Sequence, residues 1–148
     1  MLPTFMDAYY LRGKYFYTYK MFDKAIEDLN IYLLSNEKDA GAFVIRGESY
    51  AEKEEYSLAA RDYSSAIAIE GDNPDYYFDR GFFYIQLEEF KNAQVDFKKA
   101  IFFRHKDIKL SYFNLGIAEY RLGNKEEACK DWKKSEELGM DYINKYCN

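Results

Sequence analysis

Residues 77–84, which read YFDRGFFY, decide the fold because the pattern around their glycine recurs along the chain. Gly81 lies 34 residues after Gly47, Gly47 lies 34 residues after Gly13, and Gly116 follows Gly81 after 35 residues. A period of this length is typical of repeat proteins, in which one repeat cannot bury its own apolar surface and must pack on its neighbours. The sequence therefore predicts four stacked repeats in one chain.

Three further positions keep the register of the glycine. Apolar residues at helical spacing surround it, which indicates two helices in each repeat. We expect the glycine and a later alanine to be small because the two helix backbones approach closely there. An aromatic residue stands four positions before the glycine, an alanine twelve after it and a large residue sixteen after it: Tyr9, Phe43, Tyr77 and Tyr112; Ala25, Ala59, Ala93 and Ala128; Leu29, Tyr63, Phe97 and Trp132.

The helix boundaries follow from the same register. First helices are predicted over about residues 6–19, 40–53, 75–87 and 108–122, and second helices over about 23–34, 56–69, 90–103 and 125–138. Asn73 before Pro74 is typical of a helix start, because the Asn side chain can cap free amides and proline fits the first helical position. The extra residue of the last interval is expected in the loop at 104–107.

The third repeat contains Tyr77-x2-Arg80-Gly81-x2-Tyr84 with Ala93-x3-Phe97 and Ala100. The second contains Phe43-x2-Arg46-Gly47-x2-Tyr50 with Ala59-x3-Tyr63 and Ala66. This pattern resembles the tetratricopeptide repeat family, although the proline that usually closes a repeat is missing. The resemblance implies an all-α fold, an α-solenoid of four antiparallel helix-pair repeats in a right-handed superhelix. It implies one domain over residues 1–148, with repeats at about 6–39, 40–73, 74–108 and 109–142 and a short covering segment at 143–148.

The composition limits the function. Aromatic residues make up 20% of the chain, which argues against disorder. The net charge of −5 argues against a nucleic-acid partner, which calls for a basic surface. The sequence predicts no membrane insertion, because it has no apolar run of about 18 residues. The first residues lack the basic and apolar segments of a signal peptide. The sequence leaves the compartment open: the chain is cytoplasmic, or exported if a leader has been removed.

Few residues could carry catalysis. His105, the single histidine, falls in a predicted loop and is interpreted as a surface residue. The cysteines and this histidine do not have zinc-ligand spacing, and the regularly spaced glycines fall inside helices rather than in a phosphate-binding loop. The sequence therefore predicts a protein without enzymatic activity, cofactor or metal site.

A second constellation follows the repeat. An arginine directly precedes the glycine in the first three repeats, and an aspartate follows the arginine by 16 residues on the partner helix. The fourth repeat has Leu115 and Asp131 instead, so Asp131 is expected to find another donor or to face water. The spacing predicts structural ion pairs between the two helices of a repeat: Arg12 with Asp28, Arg46 with Asp62, and Arg80 with Asp96.

The two cysteines leave two interpretations open. The run 128–132, ACKDW, followed by Tyr146-Cys147, resembles the tail of bacterial proteins of this repeat family. Cys129 is either a buried free thiol or one half of a disulfide with Cys147. If the protein is exported, we expect the two residues to lie close enough to bridge; in the cytoplasm, we expect free thiols.

In the family, the first helices line a concave groove that binds extended peptides or helices. Aromatic anchors in such a groove supply affinity. The other interpretation is that some of these aromatic residues belong to the core. Basic residues come from the first and last repeats and acidic ones from between them, which favours a ligand with a basic or polar middle. The resemblance places these residues in the groove: Tyr10, Lys14, Tyr17, Ile45, Glu48, Phe78, Asp79, Phe82, Phe113, Asn114, Ile117 and Arg121.

The best-known site of the family grips the C-terminal carboxylate of chaperones with Lys, Asn, Asn, Lys and Arg at five groove positions. In one alignment those positions hold Tyr10, Lys14, Ile45, Asp75 and Asp79, and one repeat later they hold Val44, Glu48, Asp79, Leu110 and Asn114. Aspartates would repel a carboxylate, so a carboxylate-clamp co-chaperone is excluded. The sequence predicts an interaction scaffold that binds a protein or peptide; the alternative is a self-associating component of a larger assembly, a homo-oligomer.

Overall fold

The computed structural model describes residues 5–141 and Cys147. Within these residues the chain forms eight helices and no strand. Each predicted helix is present, and its ends differ from the predicted ones by no more than one residue. The helices are α1 (Phe5–Thr18), α2 (Phe22–Leu33), α3 (Ala40–Glu52), α4 (Tyr56–Ile69), α5 (Pro74–Gln86), α6 (Phe90–Phe102), α7 (Ile108–Arg121) and α8 (Lys125–Glu137).

The helices form two compact halves. The N-terminal half ends at Gly71 and contains α1–α4, and the C-terminal half begins at Asp72 and contains α5–α8. Within the N-terminal half α1 packs on α2, α2 on α3 and α3 on α4, and α1 lies beside α3. The C-terminal half repeats this arrangement with α5 to α8. Each half is therefore two stacked helix pairs. The predicted covering segment at 143–148 lies outside the described residues, apart from Cys147.

The turn inside each repeat has the same backbone conformation. Lys20, Glu54, Glu88 and Gly123 occupy one register position, and each has a positive φ, between 58° and 87°. Only the fourth repeat places a glycine there, the residue that adopts this conformation without steric cost. The identical turn geometry, rather than a common turn residue, keeps the two helices of each repeat in register.

The helical glycines make room for a ring or a branched side chain of the partner helix. A Cβ atom at Gly47 would lie 2.9 Å from the ring of Tyr63, and one at Gly81 would lie 3.0 Å from the ring of Phe97. The expected reason, close approach of two backbones, is thus incomplete for the glycine, because the atoms nearest to an added Cβ belong to side chains. Each half has its own core: Leu29, Tyr32, Leu33 and Ala42 in the N-terminal half, and Ala93, Phe97, Leu115 and Ala118 in the C-terminal half.

Asn73 caps α5 as predicted. Its side-chain oxygen accepts a hydrogen bond from the amide of Asp75 at 3.1 Å, and Pro74 takes the first helical position. Asp39 and Asp107 cap α3 and α7 in the same way, by accepting from the amides of Ala42 and Leu110. These caps satisfy amides that a helix start leaves unpaired. They fix where the first helices begin, and so which side chains those helices present.

Candidate functional site

The predicted groove residues of the N-terminal half lie on α1 and α3, which are neighbours. The Tyr10 ring contacts the Tyr32 ring in a tilted arrangement with ring centroids 5.0 Å apart, and Ile45 packs against the core of this half. The Tyr17 hydroxyl donates a hydrogen bond to Glu48, which links α1 to α3. Lys14 is exposed. Most of this group therefore packs or pairs within the half, and its exposed part is charged.

Glu48 is the half-buried acid of this surface. Burial raises the pKa of Glu48 above its ordinary value, and the nearby charge of Glu52 raises it further, while the hydrogen bond from Tyr17 lowers it. A half-buried carboxylate beside a second carboxylate favours a ligand that brings a proton or a positive charge. The surface of the N-terminal half is thus polar and acidic at its centre.

The predicted groove residues of the C-terminal half lie on α5 and α7, which are also neighbours. Phe82 is 42% exposed, while Phe113, Asn114 and Ile117 are half-buried. Phe82 and Ile117 occupy the same position of successive repeats, the position that holds Lys14 and Glu48 in the first two. The centre of this surface is therefore apolar where that of the N-terminal half is charged.

Phe78 has a packing role. It contacts the core of the C-terminal half, meets Phe97 edge to face, and stacks on His105 with ring centroids 4.2 Å apart. Asp79, the next residue, is half-buried. Of the two phenylalanines of α5 expected in the groove, Phe82 is thus the one that the structure leaves exposed.

His105 lies in the predicted loop, but it is buried, so its interpretation as a surface residue is wrong. It is 5% exposed, and its Nδ1 lies 3.0 Å from the Ser111 hydroxyl and 3.1 Å from the Asp107 carbonyl oxygen. Its Nε2 lies 3.3 Å from Asp75. The loop folds back because Ser111, Asp107 and Asp75 provide polar partners for both ring nitrogens of His105. The Phe78 ring covers one face of the imidazole. The spacing of residues in the sequence gave no indication that His105 would be buried.

Arg121 lies at the end of α7, near the edge of this surface. Its guanidinium is 4.3 Å from the centroid of the Phe90 ring and 3.3 Å from Glu88. An arginine held over a ring in this way has fewer conformations to lose when it binds a ligand. Arg121 is exposed, so it can still offer donors to an acceptor at that end of the surface.

The structure joins all three arginine–aspartate pairs. Each arginine donates two hydrogen bonds to both oxygens of its aspartate, at 2.6–2.7 Å. The aspartates are buried, while arginine exposure falls from 57% at Arg12 to 17% at Arg80 and 13% at Arg46. Burial raises the pKa of Asp96 even though the bond from Arg80 and its charge lower it. Because each of these arginines is bonded to an aspartate of its own repeat, the three arginines do not form a binding site for a ligand.

The arginine also explains the aromatic residues around the glycine. The Arg80 guanidinium lies over the rings of Tyr77 and Tyr84, at 5.8 and 5.7 Å from their centroids. Arg12 lies over Tyr9 and Phe16 in the first repeat. Cation–π contacts of this kind add to the ion pair. The motif is therefore one packed group, an arginine held between aromatic rings and bonded to an aspartate.

The fourth repeat replaces this group with a buried carboxylate, which the sequence analysis did not anticipate. Glu119 is 3% exposed and accepts hydrogen bonds from Asn124 and Gln94, both at 2.7 Å, with Lys98 at 3.1 Å. Burial raises the pKa of Glu119, but these bonds and the Lys98 charge outweigh it and hold the pKa below its ordinary value. The sequence does carry a signal for this change: three positions after the glycine, the fourth repeat has Glu119, where the other repeats have an aromatic residue.

Asp131 lies near this carboxylate and is half-buried. Burial and the charge of Glu119 raise the pKa of Asp131 to about 6, although Lys98 opposes the shift. An unfolded aspartate has a lower pKa, so the folded protein binds this proton more tightly. The contribution of Asp131 to stability is therefore present at acidic pH and is lost as the pH rises through about 6.

We expect Asp131→Asn to raise the free energy of unfolding at pH 7 by about 1 kcal/mol, a value reduced for the exposure of the carboxyl. The gain should disappear near pH 4, where the wild-type carboxyl is protonated. Denaturant unfolding at both pH values measures it. Glu136→Gln, an exposed change on the same helix, is the control and should change little. A gain for Asp131→Asn that does not depend on pH would contradict this account.

The structure joins Cys129 and Cys147 in a disulfide, with their Cα atoms 5.5 Å apart. This separation falls within the range of bridged cysteines. The bridge ties a residue near the end of the chain to α8. Residues 142–146, which directly precede Cys147, lie outside the described residues.

In residues 5–141 with Cys147, the structure holds no group of three or more His, Cys, Asp or Glu side chains that could bind a metal ion. Over the same span, every helix is too short or too polar to cross a membrane.

The tetratricopeptide repeat family model matches residues 74–101, which cover α5 and nearly all of α6. This match falls on the motif around Gly81 and Phe97. Residues 74–101 thus match one tetratricopeptide repeat. The resemblance found in the sequence is confirmed, and so is the all-α repeat fold. Repeats of this family generally mediate protein–protein interaction, and the proteins that carry them are typically non-enzymatic scaffolds.

Solved structures of similar tetratricopeptide-repeat architecture cover nearly the whole chain. A crystal structure of MamA matches with 25% identity and a TM-score of 0.83, covering 91% of this chain and 78% of that one. MamA AMB-1 matches with 21% identity and a TM-score of 0.85, covering 93% and 75%. MamA from Desulfovibrio magneticus RS-1 matches with 17% identity and a TM-score of 0.80, covering 93% and 78%. No curated protein matches by sequence.

Proposed function

We propose that this chain is a non-enzymatic interaction scaffold that binds a peptide or helix of a partner protein on the first helices of its C-terminal half. We call this surface the α5–α7 face; it consists of Phe82, Phe113, Asn114 and Ile117, with Asp79 and Arg121 as its charged residues. The observation that carries the proposal is the exposure of Phe82, 42%, beside Phe113, Asn114 and Ile117, which are half-buried.

The arrangement of the face supports a side-chain anchor. Phe82 and Ile117 come from equivalent positions of neighbouring helices, and Asn114 lies one turn before Ile117 on α7. An aromatic ring loses little entropy on binding because it has only two rotatable side-chain bonds. An apolar side chain of a ligand can therefore pack on Phe82 and Ile117, while the Asn114 amide offers hydrogen bonds to its backbone.

The charges of the face select the ligand further. Asp79 favours a basic or polar group next to the apolar anchor, and Arg121 favours an acceptor at the end of α7. No set of lysine, asparagine and arginine suited to a terminal carboxylate is present at the clamp positions, where Asp75 and Asp79 stand in one alignment. An internal segment therefore fits as well as a free C-terminus. A carboxylate-clamp role remains excluded from the proposal.

The N-terminal half would contribute differently. Its equivalent positions are Lys14, which is exposed, and Glu48, which is half-buried and bonded to Tyr17. These groups offer charge recognition rather than an apolar pocket. We therefore assign the affinity to Phe82 and assign to the N-terminal half only a preference for charged or polar ligand groups.

The experiment starts from peptides selected with the wild-type protein from a random display library. For a selected peptide, Phe82→Ala should weaken binding by about 2 kcal/mol, roughly 30-fold, as expected for a hot spot. Calorimetric titration measures the affinity, and circular dichroism should show unchanged helix content.

Phe102→Ala is the matched control, because Phe102 is also a phenylalanine, is 74% exposed and lies on a second helix, α6. It should leave the affinity unchanged. Loss of binding in Phe102→Ala, with full binding retained in Phe82→Ala, would place the binding surface on the second helices and would overturn the proposal.

A further inference from the structure

The outer face of α6 combines basic and apolar side chains. At about 3.6 residues per turn, five exposed residues share an arc of about 100° around the helix axis. Phe102 is 74% exposed and Val95 51%, and they lie about 10 Å apart along the helix. The other three residues are lysines, so two uncovered apolar side chains lie among three positive charges. We call this surface the α6 outer face; it consists of Lys91, Val95, Lys98, Lys99 and Phe102.

The segment that carries this face is the basic part of an acidic chain. Residues 90–106 contain five lysines and arginines and one acid, Asp96, which gives the segment a net charge of +4. The whole chain carries −5, so the residues outside the segment carry −9. Asp96 is buried and bonded to Arg80, so it does not offset the charge at the surface. Arg104 and Lys106, in the loop after α6, are exposed and extend the positive surface beyond the helix.

Folding of the repeat does not require this composition. The positions of Lys91 and Phe102 are exposed in the second helix of every repeat, so packing does not select their side chains. The other second helices do not combine a phenylalanine with lysines on this face: α2 and α8 place acids there, and α4 places small residues. The composition of the α6 outer face therefore needs a reason other than the fold. The equivalent residues are Asp23 and Leu34 in α2, Ser57 and Ala68 in α4, and Glu126 and Glu137 in α8.

The positive charges of this surface remain accessible to a partner. Lys98 lies 3.1 Å from Glu119 and Lys106 lies 3.2 Å from Asp75, yet their side chains are 55% and 78% exposed. Glu119 itself is buried, so the ammonium group of Lys98 lies between that carboxylate and the solvent. An anion that approaches the face therefore meets the lysines first.

Packed rings support the apolar end of the face. Phe102 meets Phe103 edge to face with ring centroids 5.1 Å apart, and Phe103 in turn stacks on Tyr77 of α5 at 5.6 Å. The ammonium group of Lys99 lies 5.8 Å from the centroid of the Phe103 ring. Phe102 is thus an exposed ring on a rigid base, with a positive charge beside it.

Exposed apolar side chains among ammonium groups match the headgroup region of an anionic lipid bilayer. There lysines keep their ammonium groups near the lipid phosphates, while aromatic rings enter the boundary between headgroups and acyl chains. The negative surface potential attracts clustered basic residues over about a Debye length. A soluble acidic partner would account for the lysines but not for Phe102 on an open helix face, whereas the bilayer accounts for both.

We propose that the α6 outer face binds the surface of an anionic lipid bilayer. The helix lies on the bilayer, the side chains of Phe102 and Val95 enter the headgroup region, and the lysines contact lipid phosphates. One short helix face with two apolar side chains gives weak binding that salt reverses. The α5–α7 face lies on the first helices of the repeats, so this proposal does not rest on the proposed function and either can fail alone.

Co-sedimentation of the full chain with lipid vesicles tests the contact. The wild type should bind vesicles of phosphatidylcholine and phosphatidylglycerol in equal amounts, should bind pure phosphatidylcholine vesicles far less, and should be released by salt. Phe102→Ala should weaken binding to the mixed vesicles roughly tenfold, because the inserted ring is lost. Lys91→Gln together with Lys99→Gln should also weaken it roughly tenfold.

Leu34→Ala is the matched control, because Leu34 occupies the position of Phe102 on α2, is 79% exposed and lies on a face with acids. It should leave vesicle binding unchanged, and circular dichroism should show the same helix content in all variants. No binding to the mixed vesicles, or equal binding to both kinds, would overturn the proposal, as would unchanged binding by the Phe102→Ala or the lysine variant. Binding of soluble polyglutamate without binding of mixed vesicles would indicate an acidic protein partner and would also overturn it.

Discussion

Replacing Gly116 with alanine should lower the free energy of unfolding by about 3 kcal/mol, through overpacking and a lost hydrogen bond. The new Cβ would lie 2.5 Å from Nε1 of Trp132 and 2.6 Å from its Cδ1. The ring has little room to move, because Trp132 is 3% exposed and its Nε1 donates to the Phe113 carbonyl oxygen at 3.1 Å. Alanine favours a helix by up to about 1 kcal/mol over glycine, so the measured loss is a net value.

Gly71→Ala is the control, because a Cβ there would meet only the Ile67 carbonyl oxygen, at an ordinary contact distance of 3.4 Å. It should change the stability little. Trp132→Phe in the Gly116→Ala background should recover part of the loss, since the smaller ring relieves the contact. Denaturant unfolding measures all variants. Equal stability of Gly116→Ala and the wild type would show that the register between α7 and α8 is wrong.

Asp62→Asn should cost about 3 kcal/mol, because it leaves the Arg46 charge buried without its carboxylate. Asp62 is 1% exposed and accepts two hydrogen bonds from Arg46 at 2.7 Å. The side chain of Arg46 is only 13% exposed, so little water reaches the guanidinium to replace the lost carboxylate, although its Nη1 still donates to the Asn30 side-chain oxygen at 2.8 Å. Unfolding in denaturant, followed by circular dichroism, measures the loss.

The first repeat offers a matched comparison. Asp28 is held by Arg12 with the same two bonds, but Arg12 is 57% exposed and stays solvated when the carboxylate is removed. Asp28→Asn should therefore cost less than Asp62→Asn. Arg46→Leu together with Asp62→Asn should cost less than the sum of the single changes, because no unpaired charge remains. Equal losses at Asp28 and Asp62 would contradict the role of burial.

The helices and the ion pairs could be predicted because they depend on spacing. A register of 34 residues fixed every helix end to within one residue, and the 16-residue interval placed Arg46 and Asp62 on facing helices. The reason given for the glycines was incomplete, since Gly47 and Gly81 make room for rings. Spacing identifies which positions meet, but it does not tell whether backbone or side-chain atoms come closest.

The burial of His105 and the different roles of Phe78 and Phe82 could not be predicted, because they depend on contacts that do not follow the repeat spacing. The burial of His105 needs Asp75, Phe78 and Ser111, which come from two helices. Phe78 and Phe82 both carried the pattern of a groove residue, and only the packing of Phe78 against His105 and the core separates them.

The central claim is that a ligand binds the α5–α7 face, and amide chemical shifts of the ¹⁵N-labelled protein test it most directly. A peptide selected from a display library is added in steps, and shift changes are followed along the chain. The account predicts that the largest changes fall on α5 and α7, around Phe82, Asn114 and Ile117. Changes concentrated on α6 and α8, with α5 and α7 unaffected, would contradict it.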